Sequence, residues 1–247
     1  MDTKQIDRRT FLTGLGVTAA AIGLSGLTAC APAVKAKALS LSHGNDASLF
    51  PVYDGTQYTK KDFTALTKND KLGLSAENIT AHLGLYEGYI NKVNLAETEM
   101  RAGNINETSM KNLAFALNGM ALHDIYFSNM STSKTKRSAA LNKAIEASYG
   151  SFDKYFTNLT SIADQVTGWS ITALNLLNGK LLNYGLADHS ANFPNFVMPI
   201  LALDVYEHAY VIDFSIEGKA KYIEAFSGII DWDLVSRRYD SLTMMFT

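Results

Sequence analysis

The order in which two hydrophobic periods occur along the chain most constrains its fold. In the first half, apolar side chains recur every three or four residues, as they do on one face of an α-helix. One such run includes Ile79, His82, Tyr86, Tyr89 and Val93, and the other, from Ser109, includes Ala116, Met120, His123 and Phe127. The segment 101–104 separates the two runs. The sequence therefore predicts an antiparallel helical hairpin that forms a domain over residues 62–132.

The pattern changes in the second half of the chain, residues 133–247. Helical runs are expected at 141–147, 152–163, 219–230 and 233–239. Strands are expected at 169–177, 180–186 and 197–203, the first two flanking Asn178-Gly179, which is a β-hairpin turn signal. Because helices and strands are segregated rather than alternating, the pattern predicts the α+β class. We expect a C-terminal domain with a small three-stranded antiparallel sheet flanked by helices.

The N-terminal residues have the composition of a targeting segment. Thr10 to Val34 carry no charge and follow the pair Arg8-Arg9. This arrangement resembles a bacterial twin-arginine export signal. The run contains Leu27-Thr28-Ala29-Cys30, which ends in the sole cysteine and resembles the cleavage box of a lipoprotein signal peptidase. An uncleaved membrane anchor is the alternative.

These resemblances imply how the N-terminal part is organised. Residues 1–29 are expected to be an export signal peptide, and Cys30 is expected to carry lipid. Residues 30–61 show little periodicity and are interpreted as a lipid-anchored tether. The mature protein is then expected in the periplasm or at the cell surface, in contact with a membrane through the lipid on Cys30.

Charge and cysteine content exclude several classes of protein. The chain has 22 Lys and Arg residues against 24 Asp and Glu residues, a formal net charge of -2, so nothing indicates a nucleic-acid-binding surface. One cysteine excludes an intrachain disulfide framework and any multi-cysteine zinc or iron–sulfur site. A metal site in this chain must therefore use histidine and carboxylate ligands, and only five histidines are present.

Three of these histidines and one aspartate form a candidate metal site. His82 and His123 lie on the apolar faces of the two predicted helices, which the hairpin would bring together. Asp204 ends the last predicted strand, and His208 follows four residues later. If a helical turn begins there, both side chains point the same way. Three imidazoles and a carboxylate suit iron or manganese, and also zinc. The alternatives are core histidines and, for Asp204 with His208, a helix N-cap with a local salt bridge.

Around these residues the chain resembles the iron/manganese superoxide dismutases, over about Leu74 to Tyr239. The resemblance is carried by segments 75–82, 118–127 and 168–169, by Asp231-Trp232, and above all by the run from Asp204 to Tyr210, Asp-Val-Tyr-Glu-His-Ala-Tyr. It implies that His82, His123, Asp204 and His208 hold one Fe or Mn ion per subunit. It also implies that a homodimer converts superoxide to dioxygen and hydrogen peroxide.

The resemblance assigns further roles. Tyr89 would lie at the substrate gate, Trp169 would line the metal pocket, and Glu207 would pair with a metal-bound histidine of a second subunit. A non-catalytic metal-binding protein with the same fold is the alternative function, and a structural lipoprotein with core histidines is a third.

Two departures from the family lead to structural predictions. The spacing from His82 to Tyr89 is one residue shorter than in the family, so the first helix should be regular, without a widened π-type turn. Gly119 replaces an amide side chain that helps to tune the metal in the family. We expect His189 to reach into the gap left by Gly119 and to take over that role. An exposed loop histidine is the alternative for His189.

Overall fold

Two long helices dominate the N-terminal half of the computed structural model, which describes residues 49–191 and 193–244. Helix α1 spans Ala76–Arg101 and α2 spans Glu107–Ser128, as the helical period predicts. At the start of α1, the Ser75 side chain accepts a hydrogen bond from a backbone amide of the first turn. No helix among the described residues is both long and apolar enough to cross a bilayer.

Helix α1 is regular where it passes the site. Its residues are α-helical throughout, so no π-type turn separates His82 from Tyr89, and that prediction is confirmed. Because seven residues make about two helical turns, both side chains lie on the same face of α1.

Part of the predicted tether, residues 49–61, contains regular structure. Strands β1 (Val52–Tyr53) and β2 (Tyr58–Thr59) form a short antiparallel hairpin that packs on α1. The Asn94 side chain of α1 accepts a hydrogen bond from the Tyr58 amide at 2.8 Å and donates one to the Tyr58 carbonyl at 2.9 Å. Two-residue strands are too short to show a hydrophobic alternation, so only the contact with α1 reveals them. The rest of the predicted tether, with Cys30 and the predicted signal peptide, lies outside the described residues.

The second half contains the predicted three-stranded sheet. Its helices are α3 (Ala139–Tyr149), α4 (Phe152–Gln165), α5 (Glu207–Phe214), α6 (Lys219–Ser227) and α7 (Trp232–Met244). Its strands are β3 (Trp169–Asn175), β4 (Leu181–Leu186) and β5 (Val197–Asp204), in the order β4-β3-β5 with both pairs antiparallel. In the turn between β3 and β4, Gly179 has a φ of 68°, which glycine adopts at no steric cost. The predicted α+β class is confirmed.

Both halves share one hydrophobic core. Helix α2 packs against β5, and Tyr126 of α2 stacks on Phe226 of α6 with ring centroids 5.2 Å apart. The Tyr222 hydroxyl lies 3.0 Å from that of Tyr126 and donates a hydrogen bond to the Asp204 carbonyl at 2.7 Å. The end of β5 is thereby fixed against both the helical hairpin and the C-terminal helices.

Candidate metal centre

Four side chains from four elements converge inside the protein. His82 comes from α1, His123 from α2, Asp204 from the end of β5 and His208 from the first turn of α5. One donor atom from each side chain lies within 4.8 Å of every other. The Nε2 atoms of His82, His208 and His123 lie 3.2, 3.1 and 3.6 Å from Oδ2 of Asp204. The structure therefore brings together all four predicted residues.

The hydrogen bonding of His123 leaves a lone pair facing this cluster. Its Nδ1 lies 2.6 Å from the carbonyl oxygen of Gly119, one turn earlier in α2. Because a carbonyl only accepts, Nδ1 carries the proton and Nε2 of the neutral ring does not. Burial lowers the pKa of His123 well below its ordinary value, which keeps the ring neutral. Among the described residues, Nε2 of His123 has no hydrogen-bond partner.

Asp204 supplies a negative charge to the same point. Burial opposes ionisation of this carboxyl, but His208 and His82 outweigh burial and hold the pKa of Asp204 below its ordinary value. Its Oδ1 accepts a hydrogen bond from the Tyr206 amide at 2.9 Å, which leaves Oδ2 directed at the histidines. Burial lowers the pKa of His82, so that this ring is neutral as well. A buried carboxylate beside the neutral rings of His82 and His123 attracts a cation.

The distances between the donor atoms fit a metal ion. Atoms about 2.1 Å from a common ion lie about 3.0 Å apart at a right angle and about 3.6 Å apart at 120°. The separations between Asp204 Oδ2 and the three Nε2 atoms run from 3.1 to 3.6 Å. A cation at this point would also give the unpaired Nε2 of His123 a partner. Neutral imidazole and carboxylate donors are a set that iron, manganese and zinc accept.

His189 lies beside the cluster, in the loop between β4 and β5. It is 1 % exposed, so the alternative of an exposed loop histidine is wrong. Its ring centroid is 5.7 Å from that of His123. The indole Nε1 of Trp169 donates a hydrogen bond to Nδ1 of His189 at 2.9 Å, and Nε2 lies 2.8 Å from the hydroxyl oxygen of Tyr89. Three predicted site residues therefore form one hydrogen-bonded chain.

Trp169 determines which nitrogen of His189 carries the proton. An indole N–H only donates, so Nδ1 must accept, and the proton of the neutral ring lies on Nε2. Burial lowers the pKa of His189 to about 4, so the ring is neutral at physiological pH. Nε2–H therefore donates to the Tyr89 oxygen, which leaves the phenol proton free to point away from His189. Burial raises the pKa of Tyr89, so the phenol keeps that proton.

The space beside Gly119 is occupied by Tyr89. A Cβ atom at Gly119 would lie 2.7 Å from Cδ1 and 2.9 Å from Cε1 of the Tyr89 ring. The expectation that His189 fills the gap left by Gly119 is wrong, because the Tyr89 ring occupies that space. The glycine instead lets the tyrosine of α1 pack against the backbone of α2, and His189 reaches the hydroxyl of that tyrosine from the loop.

Tyr206 and Glu207 lie where the site approaches solvent. The Tyr206 ring stacks on His208 with centroids 5.2 Å apart, and Glu207 is exposed. Both line a depression of about 440 Å³ together with Thr167, His208 and Tyr210, among others. The His208 side chain is 27 % exposed, whereas His82, His123 and Asp204 are fully buried. Of the four candidate ligands, His208 is therefore the one that meets solvent in the described part of the chain.

Sequence reasoning missed a buried polar group behind the site. Nζ of Lys61 lies 2.8 Å from one carboxylate oxygen of Asp124, and the Tyr86 hydroxyl donates to the other at 3.0 Å. Asp124 is the only charged residue in the otherwise apolar run that surrounds His123, and this isolated charge could have marked it. Lys61 lies 63 residues earlier and carries no such signal.

Comparisons with known proteins agree with this geometry. Residues 137–238 match the family model described as iron/manganese superoxide dismutases, C-terminal domain. A manganese superoxide dismutase of Mycolicibacterium smegmatis is 37% identical over 136 residues, which span 54% of this chain and 65% of that protein, slightly less than two thirds. A manganese superoxide dismutase of Mycobacterium avium is 31% identical over 189 residues, 74% of this chain and 90% of that protein. An iron superoxide dismutase of Aquifex aeolicus is 31% identical over 182 residues, 68% of this chain and 85% of that protein.

Proposed function

Because the chain belongs to the iron/manganese superoxide dismutase family, we propose that it is a superoxide dismutase acting at the centre formed by His82, His123, Asp204 and His208. The reaction converts two superoxide ions and two protons into one dioxygen and one hydrogen peroxide molecule. The observation that carries this proposal is the convergence of three imidazole nitrogens on one oxygen of Asp204, with the lone pair of His123 Nε2 unpaired among the described residues.

The chain holds the ion and shapes its surroundings. When bound, iron or manganese supplies one-electron redox chemistry. Asp204 contributes the charge that opposes the cation, and the Gly119 carbonyl fixes the orientation of the His123 ring. The Trp169 ring lies edge-on to that of His123 with centroids 5.1 Å apart and excludes water on that side.

Tyr89 and His189 control a proton beside the centre. Since Nε2–H of His189 occupies a lone pair of the Tyr89 oxygen, the phenol proton points elsewhere. The Tyr89 ring centroid is 5.0 Å from that of His123. The phenol O–H is therefore placed to hydrogen-bond a small anion that approaches His123, and to deliver a proton as peroxide forms. His189 keeps the phenol in this orientation.

Two measurements on one sample test the proposed activity. The purified protein should contain close to one iron or manganese ion per chain and should consume superoxide. His82→Ala and Asp204→Ala should lose most metal and activity, because each removes one donor of four. Asp164→Ala, which removes an exposed carboxylate on α4, is the matched control and should retain both. Bound metal without turnover would favour the non-catalytic metal-binding protein, and wild-type metal content in Asp204→Ala would contradict the ligand assignment.

We also propose that the protein is a homodimer in which Glu207 pairs with a metal-bound histidine of the second subunit. Glu207 is exposed at the start of α5, directly before His208. Replacement by alanine should weaken the dimer and leave much of the metal bound, as sedimentation and metal analysis would measure. A wild-type protein that sediments as a monomer removes the basis for this role.

Export and lipid attachment at Cys30 complete the proposal. The support is the resemblance of the N-terminal sequence to a twin-arginine signal that ends in a lipoprotein cleavage box at the sole cysteine. The protein is then held at a membrane outside the cytoplasm. The Cys30→Ala variant should lose lipid and leave the membrane fraction or remain uncleaved. The lipid anchor would be contradicted if the Cys30→Ala variant stayed in the membrane fraction and the wild-type protein carried an unmodified Cys30 thiol.

A further inference from the structure

We propose that Asn118 is a positioning residue, which holds His189 in the place where it can bind both Trp169 and Tyr89. Nδ2 of Asn118 donates a hydrogen bond to the backbone carbonyl of His189 at 2.7 Å. The inference rests on the proposed dismutase function, because it concerns how His189 and Tyr89 are arranged for that reaction. The sequence assigned no role to Asn118.

Asn118 attaches the loop that carries His189 to α2. His189 lies between β4 and β5, outside the strand ladders that fix the backbone on either side. The carboxylate of Asp188 accepts from the amides of Ser190 and Ala191, which shapes the loop locally but does not tie it to the helices. Asn118 lies on α2, 71 residues earlier in the chain, and is half-buried. Its amide therefore joins the loop to the helix that also carries His123.

The position of the His189 ring has little tolerance. Its two nitrogens make hydrogen bonds of 2.9 Å to Trp169 and 2.8 Å to Tyr89, which hold the ring from two directions. A displacement of the ring by about 1 Å away from either partner lengthens that bond beyond the usual range. If the bond from Trp169 is lost, the proton of the His189 ring is no longer confined to Nε2, and the Tyr89 hydroxyl can donate to the ring instead of accepting from it.

One turn of α2 consequently arranges three parts of the site. The Gly119 carbonyl orients His123, and the missing side chain at Gly119 makes room for Tyr89. Asn118, the preceding residue, fixes His189. The residue pair Asn118-Gly119 thus sets the distance between the metal-binding ring and the hydrogen-bonded chain that ends at Tyr89.

The decisive variant is Asn118→Asp, which keeps the shape of the side chain and replaces the N–H donor with an oxygen. Asn118→Ala removes the side chain beyond Cβ and provides a second variant if the first folds poorly. The matched control is Asn94→Asp, because Nδ2 of Asn94 also donates to a backbone carbonyl, that of Tyr58, at 2.9 Å. Asn94 ties β2 to α1 and makes no contact with His189 among the described residues.

The first readout is the indole N–H signal of Trp169 in an NMR spectrum of the zinc-loaded full chain, since a diamagnetic ion leaves the signals sharp. The chain has two tryptophans, so Trp232 serves as an internal reference. We expect the Trp169 signal to move in both Asn118 variants while that of Trp232 stays, and Asn94→Asp to leave both in place. Unmoved Trp169 signals in both Asn118 variants, or an equal shift in Asn94→Asp, would overturn the proposal.

The second readout is turnover with iron or manganese bound. Asn118→Asp should retain wild-type metal content, because His189 is not one of the four candidate ligands. Its rate of superoxide consumption should fall roughly ten- to hundredfold, because the ring of His189 is displaced. Loss of metal in step with activity would instead assign Asn118 to the stability of the metal site and overturn the positioning role. If the wild-type protein binds metal but has no dismutase activity, the proposed function fails, and the NMR comparison still decides whether Asn118 positions His189.

Discussion

Replacement of Gly119 by alanine is the most informative test of the site. The added Cβ lies 2.7 Å from a carbon of the Tyr89 ring, whereas carbon atoms at optimal contact are about 3.5–4.0 Å apart. The ring must therefore retreat by about 1 Å. Since its hydroxyl is 2.8 Å from Nε2 of His189, a retreat of that size breaks the hydrogen bond that orients the phenol. We expect superoxide turnover to fall roughly tenfold to a hundredfold with metal content unchanged.

Stability alone cannot reveal this effect, because two contributions oppose each other. Overpacking at Gly119 costs about 1–3 kcal/mol. Alanine in place of glycine within a helix stabilises by about 1 kcal/mol. The free energy of unfolding should therefore change little or fall by up to about 2 kcal/mol, and the fall in activity should exceed what such a loss of folded protein could produce.

Two further comparisons isolate the clash. Gly84→Ala on α1 adds a Cβ that meets no heavy atom within 4 Å, so it should raise the free energy of unfolding by up to about 1 kcal/mol and leave turnover unchanged. In the Tyr89→Ala background, Gly119→Ala should also stabilise, because the ring that the Cβ strikes is gone. Denaturant unfolding of wild type, Gly119→Ala, Tyr89→Ala and the double variant measures this coupling. Full activity in Gly119→Ala, or the same effect on stability with and without the Tyr89 ring, would refute the reasoning.

Three other predictions follow from buried or capped polar groups. Lys61→Met leaves the buried carboxylate of Asp124 without the cation 2.8 Å away, so the free energy of unfolding in urea should fall by about 3–5 kcal/mol. The control Lys60→Met breaks an exposed ion pair and should lower it by less than about 1 kcal/mol, and equal losses would contradict the role of burial. The pKa of Asp188 is lowered, chiefly by a hydrogen bond from the backbone amide of Ser190, so the ionised carboxyl contributes stability above pH 3.8 and loses it as the pH falls through the lower folded-state pKa. The difference in unfolding free energy between wild type and Asp188→Asn should shrink over that pH range, and a difference that is constant with pH would contradict the role of Asp188. Neither amide atom of the fully buried Asn78 has a partner among the described residues, so Asn78→Leu should raise the free energy of unfolding by about 1 kcal/mol, and a loss of stability would indicate a buried water at that position.

Local sequence patterns determined much of the fold and the candidate ligand set. The helical period over α1 and α2 and the turn at Asn178-Gly179 are local signals, because they depend on which face of one element is buried and on the φ of one glycine. The regularity of α1 between His82 and Tyr89 followed from a count of residues along one helix. The four candidate ligands could be selected because the chain has only five histidines, and because the places of His82, His123, Asp204 and His208 on the predicted helices and strand follow from counting residues.

Contacts between distant residues were decided only by the tertiary structure. The hairpin of β1 and β2 depends on Asn94, 36 residues away from Tyr58, and two-residue strands have no period of their own. The pairing of Lys61 with Asp124 likewise has no local signature.

The arrangement around His189 shows the same limit inside the site. Its place near the metal centre could be counted along the chain, but its protonated nitrogen could not, because that depends on the indole of Trp169. Likewise, the absence of a side chain at Gly119 is visible in the sequence, yet only packing decides that Tyr89 occupies the space. Hydrogen-bond donors and van der Waals volumes act over a few ångströms in space, and the fold alone determines which residues come within that range.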